Sequence, residues 1–357
     1  GGDEFVLMVE RVEGAPALGA LADNLVARLS APLQLGERRF SISASIGIAL
    51  HPDGSPPERL LANADAAKNA AKAAGGGRWT LYAPHMQADS LEQLNLQEDL
   101  RHAADRGELS LHYQPKIDAR SGAMAGMEAL LRWNHPKRGF VSPAVFIPVA
   151  ERFGLISALG DWVVEEACRQ MAEWARQGQH IRVAVNVSVH QLRQGGLAAR
   201  IQAALARHGV DPADLLCEIT ESAAMEDIRS SLAVFQELLG AGVYLSIDDF
   251  GTGYSSLSYL RRMPARQLKI DRSFVNDLES SVDARAVVHA VLSVAHALGL
   301  RVVAEGVETA AQRDILGELG CDELQGYLFA RPLAAGQVLD WVAARQAARP
   351  AEAALAA

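Results

Sequence analysis

Five carboxylates, Glu128, Glu218, Asp248, Asp249 and Glu305, stand in short runs that are otherwise apolar, and Asn186, Lys269 and Gln325 recur at the same place in runs of their own. Brought together, these carboxylates would be opposed only by Lys269 and Arg132. Uncompensated carboxylates held in one place protonate or destabilise the fold, so cations are the expected counter-charges. The donors are all oxygens, which suits Mg²⁺ or Mn²⁺ rather than zinc or copper. The adjacent Asp248 and Asp249 could serve two ions, with one carboxylate bridging them. Paired divalent cations recur in phosphodiester hydrolysis, where they acidify a water and stabilise charge on the attacking and leaving oxygens. Taken singly, each strand-end acid reads more simply as a cap, a turn residue or a surface charge. Asn186 alone reads as a core amide, and Lys269 alone as a solvated lysine. Their recurrence at one strand-relative position is what makes a site of them, and spacing alone supports a metal-dependent barrel hydrolase.

Eight strand candidates carry these residues, near Leu109–Ile117, Ala125–Arg132, Ile181–Val187, Leu215–Ile219, Tyr244–Asp248, Gln267–Ile270, Arg301–Glu305 and Glu323–Tyr327. Helical spacing fills most of the gaps, as at Asp161–Gln177 and Ile228–Gly240. Ser142-Pro143 opens another helix, as a cap followed by proline at the first helical position. Alternating strands and helices indicate a parallel α/β sheet, and eight strands within residues 96–345 fit a TIM-like (β/α)8 barrel. An open doubly wound sheet is the alternative, but no glycine-rich phosphate loop follows an early strand. Barrel enzymes place their sites at the C-terminal ends of the strands. From the second strand onward, each polar residue lies at or near that end. Val183, Val185 and Val187 would face the helices, which turns Asn186 inward.

The region before the barrel has a different pattern. Phe5–Glu10 reads as a short strand, and Leu18–Leu29 repeats apolar residues at helical spacing. Arg39–Ala49 alternates as one strand, and Pro56–Ala73 is an alanine-rich helix stopped by Gly75-Gly76-Gly77. This divides the chain into residues 1–83, a connector at 84–95 that could continue into a helix ending near Arg106, the barrel at 96–345 and an alanine-rich tail at 346–357. Gly1-Gly2-Asp3-Glu4-Phe5 reads as the middle of a domain, so an upstream part is expected.

With 357 residues, two units are the natural division. A net charge of −9 argues against a nucleic-acid polymer as partner, because duplex binding needs a basic surface. The sequence shows neither an apolar run of about 20 residues nor a signal segment, so no membrane contact is expected within this chain. Cys168, Cys217 and Cys321 are odd in number and widely spaced, favouring reduced thiols in the cytoplasm. They form no Cys/His cluster at zinc spacing.

The run Gly126-Met127-Glu128-Ala129-Leu130-Leu131-Arg132-Trp133 resembles the signature of EAL-domain cyclic di-GMP phosphodiesterases. The match continues through Asn186-Val187-Ser188, Glu218-Ile219-Thr220-Glu221, Asp248-Asp249-Phe250-Gly251-Thr252-Gly253, Lys269-Ile270-Asp271, Ala304-Glu305-Gly306-Val307-Glu308 and Gln325-Gly326-Tyr327. The resemblance implies two divalent cations, with Glu128, Asn186, Glu218 and Asp248 as ligands of one, Asp248 bridging to the second, Asp249 on the second, and Glu305 as a further ligand. It implies that Lys269 contacts the nucleophilic water as base or orienting cation, with Gln325 in the shell around that water. Gln114, Arg132 and Tyr327 would contact the nucleotide, and Glu221 would anchor the loop from Phe250 to Ser256. The expected reaction is hydrolysis to linear pGpG, and a homodimer through the barrel is a further implication. No metal or catalytic position is substituted, which disfavours a non-catalytic receptor; nothing positive supports a docking scaffold.

Gly1–Phe5 resembles the signature of diguanylate cyclases, and Ser45–Ala49 with Asn63–Ala67 match the later half of that GGDEF domain. Lys68 and Asn69 depart from it, standing where the family has methionine and tyrosine. The front half of such a domain is missing from this sequence. As given, the segment is therefore not expected to make cyclic di-GMP; GTP binding would belong to an intact upstream domain. A membrane-anchored parent stays open.

Overall fold

The computed structural model describes residues 4–10, 14–35, 38–40, 42–51, 56–226, 228–251 and 257–355. Gly1-Gly2-Asp3 of the N-terminal signature and residues 252–256 of the glycine-bearing loop lie outside the described residues. The chain divides into two compact units, Gly1–Glu98 and Asp99–Ala357.

In the second unit all eight expected strands form: β1 Leu109–Asp118, β2 Met124–His135, β3 Val183–Asn186, β4 Leu215–Thr220, β5 Tyr244–Phe250, β6 Gln267–Ile270, β7 Arg301–Ala304 and β8 Glu323–Gln325. From β2 to β8 each strand pairs in parallel with the next. The sheet closes through β1, which hydrogen-bonds to both β8 and β2. Every strand therefore has two neighbours, leaving no open edge in the ring.

One feature departs from an all-parallel barrel: β1 runs antiparallel to both neighbours. Only residues 119–123 separate β1 from β2, too few for the crossover of a dozen or more residues that parallel strands require. The turn is locally specified. Asp118 Oδ1 accepts from Ser121 N at 2.8 Å and Ser121 Oγ at 2.7 Å, and Gly122 takes a φ of 67°. At the other end of this hairpin, Trp133 Nε1 donates to Glu108 Oε2 at 2.9 Å and His135 Nε2 lies 3.1 Å from Asp99 Oδ2.

Strand alternation sends one face of the sheet to the helices and the other into the barrel. Val183, Val185 and Val187 are buried against the helix Ile156–Arg176, which presents Val163, Ala167, Cys168, Met171 and Trp174 at helical spacing. A second apolar cluster joins Ile270, Val302 and Leu324 to Val288, Leu292 and Ala295 of the helix Val282–Ala297. All three cysteines are free and buried.

The first unit contains the helices Ala15–Leu29 and Leu60–Ala73, a parallel pair Ile46–Ile48 with Trp79–Leu81, and a hairpin of Leu33–Leu35 with Arg38–Phe40. Arg39–Ala49 is thus two strands with different partners rather than one. Phe5–Glu10 is not a strand. Its side chains stand in solvent, Phe5 at 92% exposure, and no described residue pairs with its backbone. Apolar character favours a strand, but only a hydrogen-bonded neighbour makes one. Within the connector at 84–95 the chain is helical: a single helix covers His85–Arg101, where no glycine or proline interrupts the sequence. The alanine-rich tail likewise continues the helix Val338–Leu355. No described helix is long and apolar enough to cross a membrane.

Gly326 follows β8 where the chain passes against Val307. A Cβ there would lie 2.0 Å from Val307 O and 2.3 Å from Val307 N. Gly326→Ala should therefore destabilise the barrel by roughly 1–3 kcal/mol or more. Urea denaturation measures it, and a midpoint equal to the parent's would contradict this packing.

Candidate active site

Lys269, on β6, is only 1% exposed and points into the barrel. Its Nζ lies 2.6 Å from Glu305 Oε1, 2.9 Å from Glu218 Oε2, 3.1 Å from Asp248 Oδ2 and 3.4 Å from Glu128 Oε2. Residues from β2, β4, β5 and the end of β7 thus converge on one ammonium. Glu128 is further fixed by two amides, Asn186 Nδ2 on Oε1 at 2.8 Å and Gln325 Nε2 on Oε2 at 2.7 Å. Gln325 Nε2 also reaches Gln114 Oε1 at 3.3 Å, while Gln114 Nε2 donates to Ala330 O at 3.2 Å.

Glu128 is not at the end of its strand. It is the fifth residue of β2, directly opposite Gln114. The parallel pairing of β2 with β3 ends at Ala129, however, and beyond it β2 continues as a hairpin arm. The barrel rim therefore falls next to Glu128, while the strand runs on past it.

Asp249 has a φ of 54°, the one positive value among the described non-glycine residues. Such backbone is costly outside glycine, though aspartate tolerates it better than most residues. It changes the strand's direction just after Asp248, and Asp249 N donates to Asp248 Oδ1 at 2.9 Å. The result is that Asp248, Asp249 and Glu305 each bring a carboxylate oxygen within 4.8 Å of the others. Two adjacent strand residues would normally face opposite sides.

A second buried ammonium belongs to the site, and sequence reasoning had missed it. Lys116 on β1 is 3% exposed and its Nζ lies 2.5 Å from Glu218 Oε1. The signal was present: Tyr113, Pro115 and Ile117 alternate with Gln114 and Lys116, so both polar residues face inward together. Two lysines still face five carboxylates, so negative charge is left over. An all-oxygen set with surplus negative charge fits hard divalent cations.

The titration of these groups follows from their burial. Burial would raise Glu128, but Lys269, Lys116 and the amides of Gln325 and Asn186 outweigh it and bring the carboxyl down to about 2. Burial raises Glu305 to about 8 against the pull of Lys269, with Asp248 and Glu128 adding to the rise. Glu218, Asp248 and Asp249 are also raised, chiefly by burial. Burial pulls Lys269 down, yet Glu128, Glu218, Glu305 and Asp248 hold it well above its ordinary value.

The expected nucleotide contacts lie outside the ion-pair cluster. Arg132 follows Glu128 by four residues on the same strand face, and its Nη1 donates to Leu131 O at 3.0 Å. It forms no salt bridge among the described residues, and burial lowers its pKa. Tyr327 is half exposed, with the Arg331 guanidinium 4.4 Å from its ring centre. Glu221 is buried where β4 gives way to a helix, and its Oε2 accepts from Gly251 N at 3.0 Å. That bond holds the start of the segment whose residues 252–256 lie outside the described set.

Fold and site together define a closed α/β barrel with an acidic, metal-type centre at the mouth. Residues 97–332 match the EAL domain model, and residues 1–78 match that of the diguanylate cyclase, GGDEF domain. The chain belongs to the EAL-domain family. It is 49% identical over 346 residues to the bifunctional diguanylate cyclase/cyclic di-GMP phosphodiesterase MucR of Pseudomonas aeruginosa, covering 96% of this chain and 50% of that protein. It is 39% identical over 342 residues to cyclic di-GMP phosphodiesterase PdeR of Escherichia coli, covering 96% of this chain and 51% of that protein. The chain spans about half the length of these curated relatives. A solved structure described as PaMucR phosphodiesterase in a c-di-GMP complex aligns with a TM-score of 0.66 at 50% identity, covering 68% of this chain and 99% of that one.

The signs of these shifts predict how stability varies with pH. A carboxyl raised on folding favours the fold at low pH, so the Glu305 contribution is present below 4.5 and lost as pH rises to about 8. Glu128 has the opposite sign, and its contribution is lost as pH falls from 4.5 toward about 2. In EDTA the urea midpoint should decline between about pH 5 and 8, with Glu305→Gln flattening the decline. A profile that Glu305→Gln leaves untouched would refute the assignment.

Proposed function

We propose that this chain hydrolyses cyclic di-GMP to linear pGpG at the mouth of its barrel. The observation that carries the proposal is the unbroken ring of Glu128, Glu218, Asp248 and Glu305 around Lys269, with Asp249 beside it. The names of the relatives and of the c-di-GMP complex supply the substrate class, since a set of acids does not identify a nucleotide.

In this proposal Glu128, Asn186, Glu218, Asp248, Asp249 and Glu305 hold two divalent cations, Mg²⁺ or Mn²⁺. Such cations supply an acidified water and charge neutralisation on the phosphate oxygens. The chain's own groups do the rest. Lys269 would orient the attacking water or take its proton. Gln325, hydrogen-bonded to Glu128 and Gln114, orders the shell around that water. The Arg132 guanidinium, unpaired with any described carboxylate, suits a phosphate oxygen. Gln114 and Tyr327 line the approach of the nucleotide. One phosphodiester bond is cleaved in line, and the ring opens.

The test is cyclic di-GMP hydrolysis by the purified chain with Mg²⁺ or Mn²⁺, product identified by chromatography, beside Glu128→Ala. We expect conversion to pGpG that falls in the variant by more than the roughly 10–100-fold typical of an outer-shell partner. Tight nucleotide binding with no turnover by the parent would mark a receptor instead. Glu221→Ala should raise the Mg²⁺ concentration needed and reduce turnover by about tenfold, by releasing Gly251. Unchanged Mg²⁺ dependence and turnover would remove Glu221 from the machinery.

A further inference from the structure

Lys116 differs from Lys269 in what it touches. Lys269 is shared among four carboxylates, whereas Lys116, among the described residues, pairs with Glu218 alone. The two ammoniums divide that carboxylate between them, Lys116 on Oε1 at 2.5 Å and Lys269 on Oε2 at 2.9 Å. Only the Oε2 side meets the other acids, because Lys269 Nζ also contacts Glu128 Oε2, Asp248 Oδ2 and Glu305 Oε1.

Lys116 reaches Glu218 from below. Its partner across β2 is Gly126, two residues before Glu128 and therefore deeper in the barrel. A small cavity at this depth is lined by Lys116, Gly126, Arg182, Gln267 and Glu323. A Cβ at Gly126 would lie 3.1 Å from Arg182 O, so the chain is closely packed on this side of the lysine's strand partner. A buried ion pair seldom adds net stability, because desolvating both charges offsets their attraction. What it does well is fix geometry.

We propose that Lys116 is a positioning residue: by holding Oε1 of Glu218 it sets the plane of that carboxylate and leaves Oε2 as the oxygen presented to the mouth. This rests on Glu218 being a metal ligand. Without Lys116 the carboxylate keeps only its contact with Lys269 on Oε2, and Oε1 can turn toward the mouth, which alters the ligand field of a bound cation and the alignment of the reacting groups.

The experiment compares the parent chain with Lys116→Met, similar in length and uncharged. Mn²⁺ is bound to each without nucleotide and its EPR line shape recorded; turnover of cyclic di-GMP is then measured at saturating Mn²⁺. We expect a changed line shape and turnover about tenfold or more lower, with KM for the nucleotide within about twofold. An unchanged line shape, or turnover within about threefold of the parent, overturns the proposal. Should Lys116→Met fail to fold, Lys116→Arg keeps a cation on Oε1. Turnover within about threefold of the parent then supports positioning by charge and hydrogen bond, and a larger loss overturns it. A parent chain that binds Mn²⁺ and leaves cyclic di-GMP intact removes the functional proposal, while the line-shape comparison still decides the part played by Lys116.

Discussion

Carboxylates repel one another, and taking them out of water makes the repulsion worse. Four of them gather within hydrogen-bonding reach of Lys269, which is itself almost completely buried. The rest of the barrel is arranged around holding that cluster together. Two lysines supply positive charge, and two amides, from Asn186 and Gln325, satisfy both oxygens of Glu128. The cost shows in Glu305, pushed up to about 8 by burial while Glu128 is brought down to about 2.

A closed sheet is what makes this convergence rigid. The cluster's members are contributed by strands and strand ends around the whole ring, so none moves without disturbing hydrogen-bonded neighbours on either side. Outside the ring, branched aliphatic residues such as Val183 and Val185 pack against helices. Inside it, polar residues replace the usual apolar filling. The fold therefore spends its hydrophobic stabilisation on the outer layer and keeps its interior for charge.

The sequence revealed some of this directly. All eight strands, the inward turn of Asn186 and the set of acids followed from alternation and from recurrence at one strand-relative position. What escaped depends on pairing rather than pattern. Whether β1 runs with or against its neighbours is decided by the short turn at residues 119–123, and an Ala-Arg-Ser-Gly-Ala turn is easily passed over beside seven parallel strands. Lys116 is the exception, because alternation along β1 puts it on the same face as Gln114 and its signal lay in the pattern. Phe5–Glu10 failed in the opposite direction: its composition suits a strand, but composition cannot provide a neighbour. The positive φ of Asp249 has no signature in residue type, because most aspartates never adopt it.

The reversal of β1 also decides where the polypeptide enters its own barrel. In an all-parallel ring the first strand begins at the floor, at the far end from the chemistry. Here β1 begins beside the outer part of β2, where Leu109 pairs with Trp133, and the preceding residues are tied there by Glu108 on Trp133 and Asp99 on His135. The doorway of the domain is thus also its working face. The residues that lead into β1 are thus joined by side chain to β2, the strand that carries Arg132 and Glu128.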